Sequence, residues 1–391
     1  MKKISLWIGG IAVLSTQTLL AVELHGYVRL GAGSIENGQG QECFKLSEAP
    51  AKYRLGNECD QYGELFGSQK VMEFSDHSKL SINAMAQFSN DYNKSLKFSG
   101  ENGFTRLSQA YLNWENVPML HGGNLWVGRR YYNRHDIHMS DFFYWNQSAN
   151  GFGIDQFKVG NLDLSYVFSR KDSVFQEIYI NRHDFTVSKI PMSQSNQLQF
   201  GISYIDADKK GWSFSLENVS SNVFNGKNTF AVQYGIGAGT GLSYTGNTLF
   251  GDNSKNFRVL DYVDWESNNK IFNGQFQVIY QITDLEQQDK LKWFSVGSRT
   301  AYVINDVFKI SSEIGYDQIN KSDETRRLTK LTIAPTLSLQ GTGFYDRPEL
   351  RVYYTYAYWN DTEKSIRDLV ENNYTGTNHG SNFGIQLEYF W

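Results

Sequence analysis

Nowhere after residue 21 does the sequence hold an apolar run of the roughly 20 residues that a membrane-crossing helix needs, and its mean hydropathy is −0.48. A helical membrane protein is excluded. Proline is scarce, five in 391 residues, and no Pro-rich or Ser-rich linker and no internal repeat divides the chain, so it reads as one domain. Basic charge is short as well. With 37 Lys and Arg against 41 Asp and Glu the net charge is −4, and more negative still without Lys2 and Lys3, which leaves no footprint for nucleic acid. Only two cysteines occur, Cys43 and Cys59.

The opening segment, MKKISLWIGGIAVLSTQTLLA, has two lysines, an apolar core from Ile4 to Leu14 and a small residue, Ala21, before Val22. This is the layout of a secretory signal peptide over residues 1–21, so the folded part is expected to be 22–391. In an exported chain Cys43 and Cys59 read as one disulfide, two free thiols being the other reading. A loop of that size closed by a disulfide gains about 3 kcal/mol in the chain-entropy account.

Period two dominates the rest. Successive side chains of a strand point to opposite faces, and a membrane barrel must offer lipid on one face and water on the other. At the start, Val22, Leu24, Gly26, Val28, Leu30 and Ala32 share one parity, while Glu23, His25, Tyr27, Arg29 and Gly31 share the other. At the end, Phe383, Ile385, Leu387, Tyr389 and Trp391 alternate with Gly384, Gln386, Glu388 and Phe390. A final aromatic after such alternation resembles the C-terminal sorting signal of outer-membrane barrels. Comparable stretches recur near 80–90, 107–116, 124–132, 162–170, 197–206, 229–236, 272–283, 307–316, 328–339 and 349–359, separated by Gly, Asn, Asp and Ser clusters. With the less regular segments they make sixteen to eighteen strands of a closed antiparallel transmembrane β-barrel. A soluble sandwich also alternates, but its buried face would not carry Tyr27 beside Arg29 or Phe390 beside Glu388.

Those pairs carry the chemistry. A sugar has apolar ring faces and hydroxyl-bearing edges, so a lumen that exchanges water for sugar needs flat aromatic side chains and charged donors and acceptors together. Tyr27 and Arg29 share the lumen face of the first strand, and Phe390 shares that of the last, which closes on the first. The alternative for Tyr27 and Phe390 is the aromatic girdle of any barrel. The second concentration, Arg129 to Trp145, holds Arg134, His135, Asp136, His138 and Asp141 where alternation fails. It reads as a long loop, and long irregular backbone at membrane depth is tolerated where it lines water, which suggests an inward constriction over 129–155. An external loop is the plainer alternative. His135, Asp136 and His138 could in principle form a metal or catalytic site, but no second ligand spacing and no placed nucleophile accompanies them, so neither an enzyme, a cofactor nor a metal is expected.

HGYVRLGAG at 25–33, CFKLSEAPAKYRLGNECDQYGEL at 43–65 and GRRYYNRHDIHMSDFFYW at 128–145 resemble, in order, the first strand, the disulfide-bonded first loop and the constriction loop of the maltoporin family of outer-membrane sugar porins. KGWSFS at 210–215, FAVQY at 230–234, EIGYD at 313–317 and RPELRV at 347–352 extend the likeness over most of the mature chain. The resemblance implies eighteen strands, a homotrimer in the bacterial outer membrane among lipid and lipopolysaccharide, oligosaccharide solutes, and a file of aromatics, the greasy slide, flanked by an ionic track. It implies that Tyr27 and Tyr62 are slide tyrosines, that Tyr345 and Phe390 stand where the family has tryptophans, and that Tyr92 stands where a loop tryptophan is lent by the neighbouring subunit. Lys227 stands where an aromatic is expected, with Phe224 nearby. Arg29, Arg54, Arg106, Arg134, Asp136 and Asp141 match the track, with His138 beside them, and Phe143 replaces the constriction tyrosine. Passive, sugar-selective diffusion is the expected function. A general diffusion porin and an outer-membrane hydrolase are the competing readings, and the outer loops could also serve phage or other surface ligands.

Overall fold

In a computed structural model of the chain, the described residues are 22–170, 180–242, 251–370, 374 and 376–391. The expected signal peptide, residues 1–21, lies outside the described residues. Eighteen strands form one sheet in which each pairs antiparallel with its neighbours. The first, Glu23–Ile35, pairs with the last, His379–Phe390, so the sheet closes and no strand edge is left. In that seam Tyr27 lies opposite Phe390, the aromatic pair that parity leads one to expect, and Arg29 lies opposite Glu388. Closure is what lets such a structure sit in lipid, because every ladder N–H and C=O finds a partner within the sheet.

The sheet is turned inside out relative to a soluble protein. Along Glu349–Trp359, Leu350, Val352, Tyr354, Tyr356 and Tyr358 face outward and are exposed, while Glu349, Arg351, Tyr353, Thr355, Ala357 and Trp359 are buried in the lumen. The neighbouring Glu324–Ser338 repeats the pattern: Leu331 and Ile333 face out, and Arg326, Lys330 and Thr332 face in. Leu331, opposite Tyr356 in the ladder, sits mid-strand on the lipid side. Leu331→Arg is therefore expected to destabilise the barrel by about 2–4 kcal/mol, read as a lowered urea midpoint in lipid vesicles.

The chain ends and most of the short turns share one end of the barrel, and the long segments, 339–348 excepted, occupy the other. Two of the long ones fold inward. The first, residues 36–59, carries the Cys43–Cys59 disulfide and buries Tyr53 and Leu55 against the inner wall. The second was expected over 129–155 as a stretch without alternation. The structure narrows it to 131–148, because Arg129 and Arg130 pair with Asn150 and Ala149 and the next wall strand already runs Ala149–Val159. It is also not irregular throughout. Arg134–Ile137 and Phe142–Asn146 form a small antiparallel hairpin closed by a turn at His138–Ser140, with Asp141 left-handed at φ 52°. A register shift between His135 and Asp136 breaks the alternation, which is why period two could not reveal it.

A ten-residue helix, Asp361–Val370, belongs to the last long segment and clamps the first loop: Glu363 accepts from the Ser47 backbone N–H and hydroxyl at 3.0 and 2.9 Å, and Arg367 donates to the Lys45 carbonyl at 2.6 Å. Phe44, Leu46, Phe142, Trp293 and Trp359 pack together below it. The apolar core thus fills the space between infolded loops and wall and leaves the rest of the lumen to polar groups.

Candidate functional site

Between the two infolded loops and the strands around the seam lies a cavity of ≈ 990 Å³. Its apolar side is a set of rings. Tyr27 and Tyr62, on adjacent strands, have centroids 5.9 Å apart, tilted by 57°, and Phe390 joins them across the seam. Further along, Tyr345 comes from the segment 339–348, the one long connection at the short-turn end. Its hydroxyl donates to Asp264 at 3.0 Å and accepts from Gln275 at 3.1 Å, and its ring lies 5.5 Å from that of His138. Tyr345 and Phe390 stay 44% and 47% exposed, so both present a ring face to water. Two hydrogen bonds fix the Tyr62 ring from its edge: its hydroxyl donates to Glu64 at 2.5 Å and accepts from Gln87. The Tyr62 and Tyr345 rings are thus held at their hydroxyls.

The polar side is densely charged around the first loop. Arg29 lies 3.3 Å from Glu58 and 2.5 Å from Asp60, Arg54 lies 2.5 Å from Glu58, and Lys52 lies 3.5 Å from Glu58. Arg54 also reaches Asp141 of the second loop at 3.9 Å and Glu388 of the last strand at 3.5 Å, so one guanidinium ties loop, loop and wall together. Burial opposes the charge on Glu58, but Arg29, Arg54 and Lys52 outweigh it and hold its carboxyl well below the usual range. His138 is the converse: burial first, then the nearby Arg54, hold its imidazole well below the usual range, so at neutral pH its Nε2 can accept from Arg347 at 3.2 Å. Burial and the Asp141 carboxylate push the Asp136 carboxyl up, against Arg134 and Arg54.

Arg134 stands apart. Its guanidinium lies between two rings, 4.1 Å from the centroid of Tyr131 and 4.1 Å from that of Phe143. Arg106, on the adjoining wall, donates to Gln87 at 2.6 Å and packs 4.4 Å from the Phe104 ring.

Of the residues singled out from sequence, Tyr27, Tyr62, Tyr345 and Phe390 line this cavity, as do Arg29, Arg54, Arg106, Arg134, Asp136 and Asp141, with His138 and Phe143. Tyr92 does not. Its backbone N–H donates to the Cys59 carbonyl at 2.9 Å and its hydroxyl accepts from Gln386 at 3.3 Å, both in its own chain. Phe224 sits in a turn, 73% exposed, and neither it nor Lys227 lines the cavity. Sequence reading missed Glu58, Glu64, Gln87, Tyr131 and Arg258, which line it too. Glu64 was within reach, since it shares the parity of Tyr62 on Asp60–Glu73, and Arg258 shares that of Asn256 and Tyr262 on Lys255–Glu266.

Residues 22–391 match the family model described as LamB porin. Among solved structures, the outer-membrane protein opdK of Pseudomonas aeruginosa is similar at 7% identity, over 95% of this chain and 99% of that one, with a TM-score of 0.53. OccK9 (OpdG) of the same organism is similar at 9% identity, over 94% and 98%, with a TM-score of 0.53. OccAB4 of Acinetobacter baumannii is similar at 12% identity, over 95% and 98%, with a TM-score of 0.51. At such identities these three speak for the barrel fold alone.

Proposed function

The chain belongs to the LamB porin family of outer-membrane, carbohydrate-selective diffusion channels, which are not enzymes, and from that premise we propose that it passes oligosaccharides of the maltodextrin type along an aromatic file. The observation that carries this reading is the cavity in which Tyr27, Tyr62, Tyr345 and Phe390 share a lumen with charged donors and acceptors. A sugar stacks one ring face on an aromatic while its hydroxyls trade hydrogen bonds with the charged rows, so moving to the next ring never requires full rehydration. Each site binds weakly enough to release, and the concentration gradient supplies the drive. Assembly as a homotrimer belongs to the same proposal.

The test is ion conductance of the purified protein in a planar bilayer during titration with glucose, sucrose and a maltodextrin series. Saturable block that tightens with oligosaccharide length is expected. Current indifferent to every sugar would leave a general diffusion pore. Within that assay Tyr62→Ala is expected to weaken block by about tenfold, because one stacking face is lost, while the open-channel current persists.

A further inference from the structure

The cations around the cavity fall into two groups. Arg29, Arg54 and Lys52 are each in an ion pair with Glu58, Asp60 or Asp141. Among the described residues Arg106, Arg134 and Arg258 have no carboxylate at ion-pair distance, although all three line the same cavity. Arg106 and Arg258 spend donors on the neutral side chains of Gln87, Gln233 and Gln281. Arg134 spends none. Its Nε is buried with no hydrogen-bond partner, and among the described residues its guanidinium forms no hydrogen bond to protein.

A bare guanidinium in a narrow passage is expensive unless something else holds it, and here two rings do: Tyr131 and Phe143 each lie 4.1 Å from it, and among the described residues no protein acceptor takes its terminal N–H groups. A phenyl at position 143 contributes a face and no competing hydroxyl. The edge of a guanidinium is a fixed fork of N–H donors that matches a carboxylate in bidentate fashion. Asp136 is the near acid, and it is two residues away on the same hairpin without forming the pair.

We propose that this channel favours acidic saccharides, sugars bearing a carboxylate, and that Arg134 is the residue that takes the carboxylate while the aromatic file holds the ring. This rests on the sugar-channel reading and names its solute class more narrowly. Arg106 and Arg258 line the same cavity, whose lining holds six Lys and Arg against five Asp and Glu, a balance that favours entry of an anion over a neutral sugar of the same shape.

The test uses a matched pair in the planar-bilayer assay at about 0.1 M salt, where screening is modest: maltobionate, an acidic disaccharide, and maltitol, its neutral open-chain counterpart. The full-length protein is expected to bind maltobionate about tenfold more tightly than maltitol, judged by half-block concentration. In Arg134→Gln the ratio of the two constants is expected to fall toward one, whatever loss both share. Arg134→Lys, which keeps the charge and loses the fork, is expected to fall between. Retained open-channel current shows that each variant has folded. Maltobionate no tighter than maltitol, or a ratio unmoved by Arg134→Gln, overturns the inference while maltitol block still supports a sugar channel. Indifference to both compounds removes the sugar reading and this inference with it.

Discussion

Glu313→Gln is expected to destabilise the loop-filled lumen by about 3–5 kcal/mol and to raise single-channel conductance with added current noise. Glu313 is 0% exposed on the inner wall and serves two buried cations at once. Lys330 lies 2.8 Å from one of its oxygens and Arg299 2.6 Å from the other. Among the described residues neither cation has another carboxylate at ion-pair distance, so a neutral amide of the same shape strands both. The same three side chains hold the infolded loops. The backbone N–H of Leu55 donates to Glu313 at 3.0 Å, Lys330 donates to the Leu55 carbonyl at 2.7 Å, and Arg299 donates to the Met139 carbonyl at 3.3 Å. One carboxylate therefore anchors the disulfide loop and the constriction hairpin to the wall. The ladder of the barrel is untouched by the change, so the deficit appears at the loops, as a wider and more variable passage. Lys330→Met placed on top of Glu313→Gln removes one stranded cation and is expected to restore part of the loss, since coupled neighbours do not add. A melting temperature and a conductance both equal to the unaltered protein would show that the network does not hold the loops.

What the sequence made legible follows from which physical rule each feature obeys. Lipid outside and water inside impose strict parity, so the barrel, its seam and the lumen side of Tyr27, Arg29 and Phe390 can be read from spacing alone. Loops obey no such period. The hairpin at Arg134–Asn146 is hidden by its register shift, and the constriction segment looked longer than it is because Ala149–Val159 pairs over glycines and polar residues rather than apolar alternation. Pairing of charges is also beyond a one-dimensional reading. Arg54 and Arg134 look alike in sequence, yet Arg54 meets Glu58, Asp141 and Glu388, the last from the far end of the chain, whereas among the described residues Arg134 forms no ion pair and packs against two rings. That difference arises where two loops and a wall converge.

Glycine within the wall strands is the clearest case of a signal present but unread. Gly297 and Gly315 lie directly opposite each other in the ladder between Leu291–Asn305 and Phe308–Lys321. Both are extended, so no unusual backbone angle explains them, and a glycine inside a strand marks a close approach by something else. The something is Tyr53 of the disulfide loop. A Cβ added at Gly315 would sit 2.0 Å from Tyr53 Cδ2, and one at Gly297 would sit 2.3 Å from its Cε1. The ring lies flat in a socket made by two missing side chains, 2% exposed, with its hydroxyl 2.9 Å from that of Ser295 and accepting from Gln277 at 3.2 Å. Tyr53→Ala is expected to cost about 3–5 kcal/mol, as for other buried aromatics, by emptying that socket and loosening residues 36–59. Gly315→Ala should reach the same end from the other side by evicting the ring, at about 1–3 kcal/mol. Because both act on one contact, the double variant is expected to lose less than the two losses combined, which a thermal-unfolding double-mutant cycle measures directly. Strict additivity would mean that the ring and the glycine pair do not work as plug and socket.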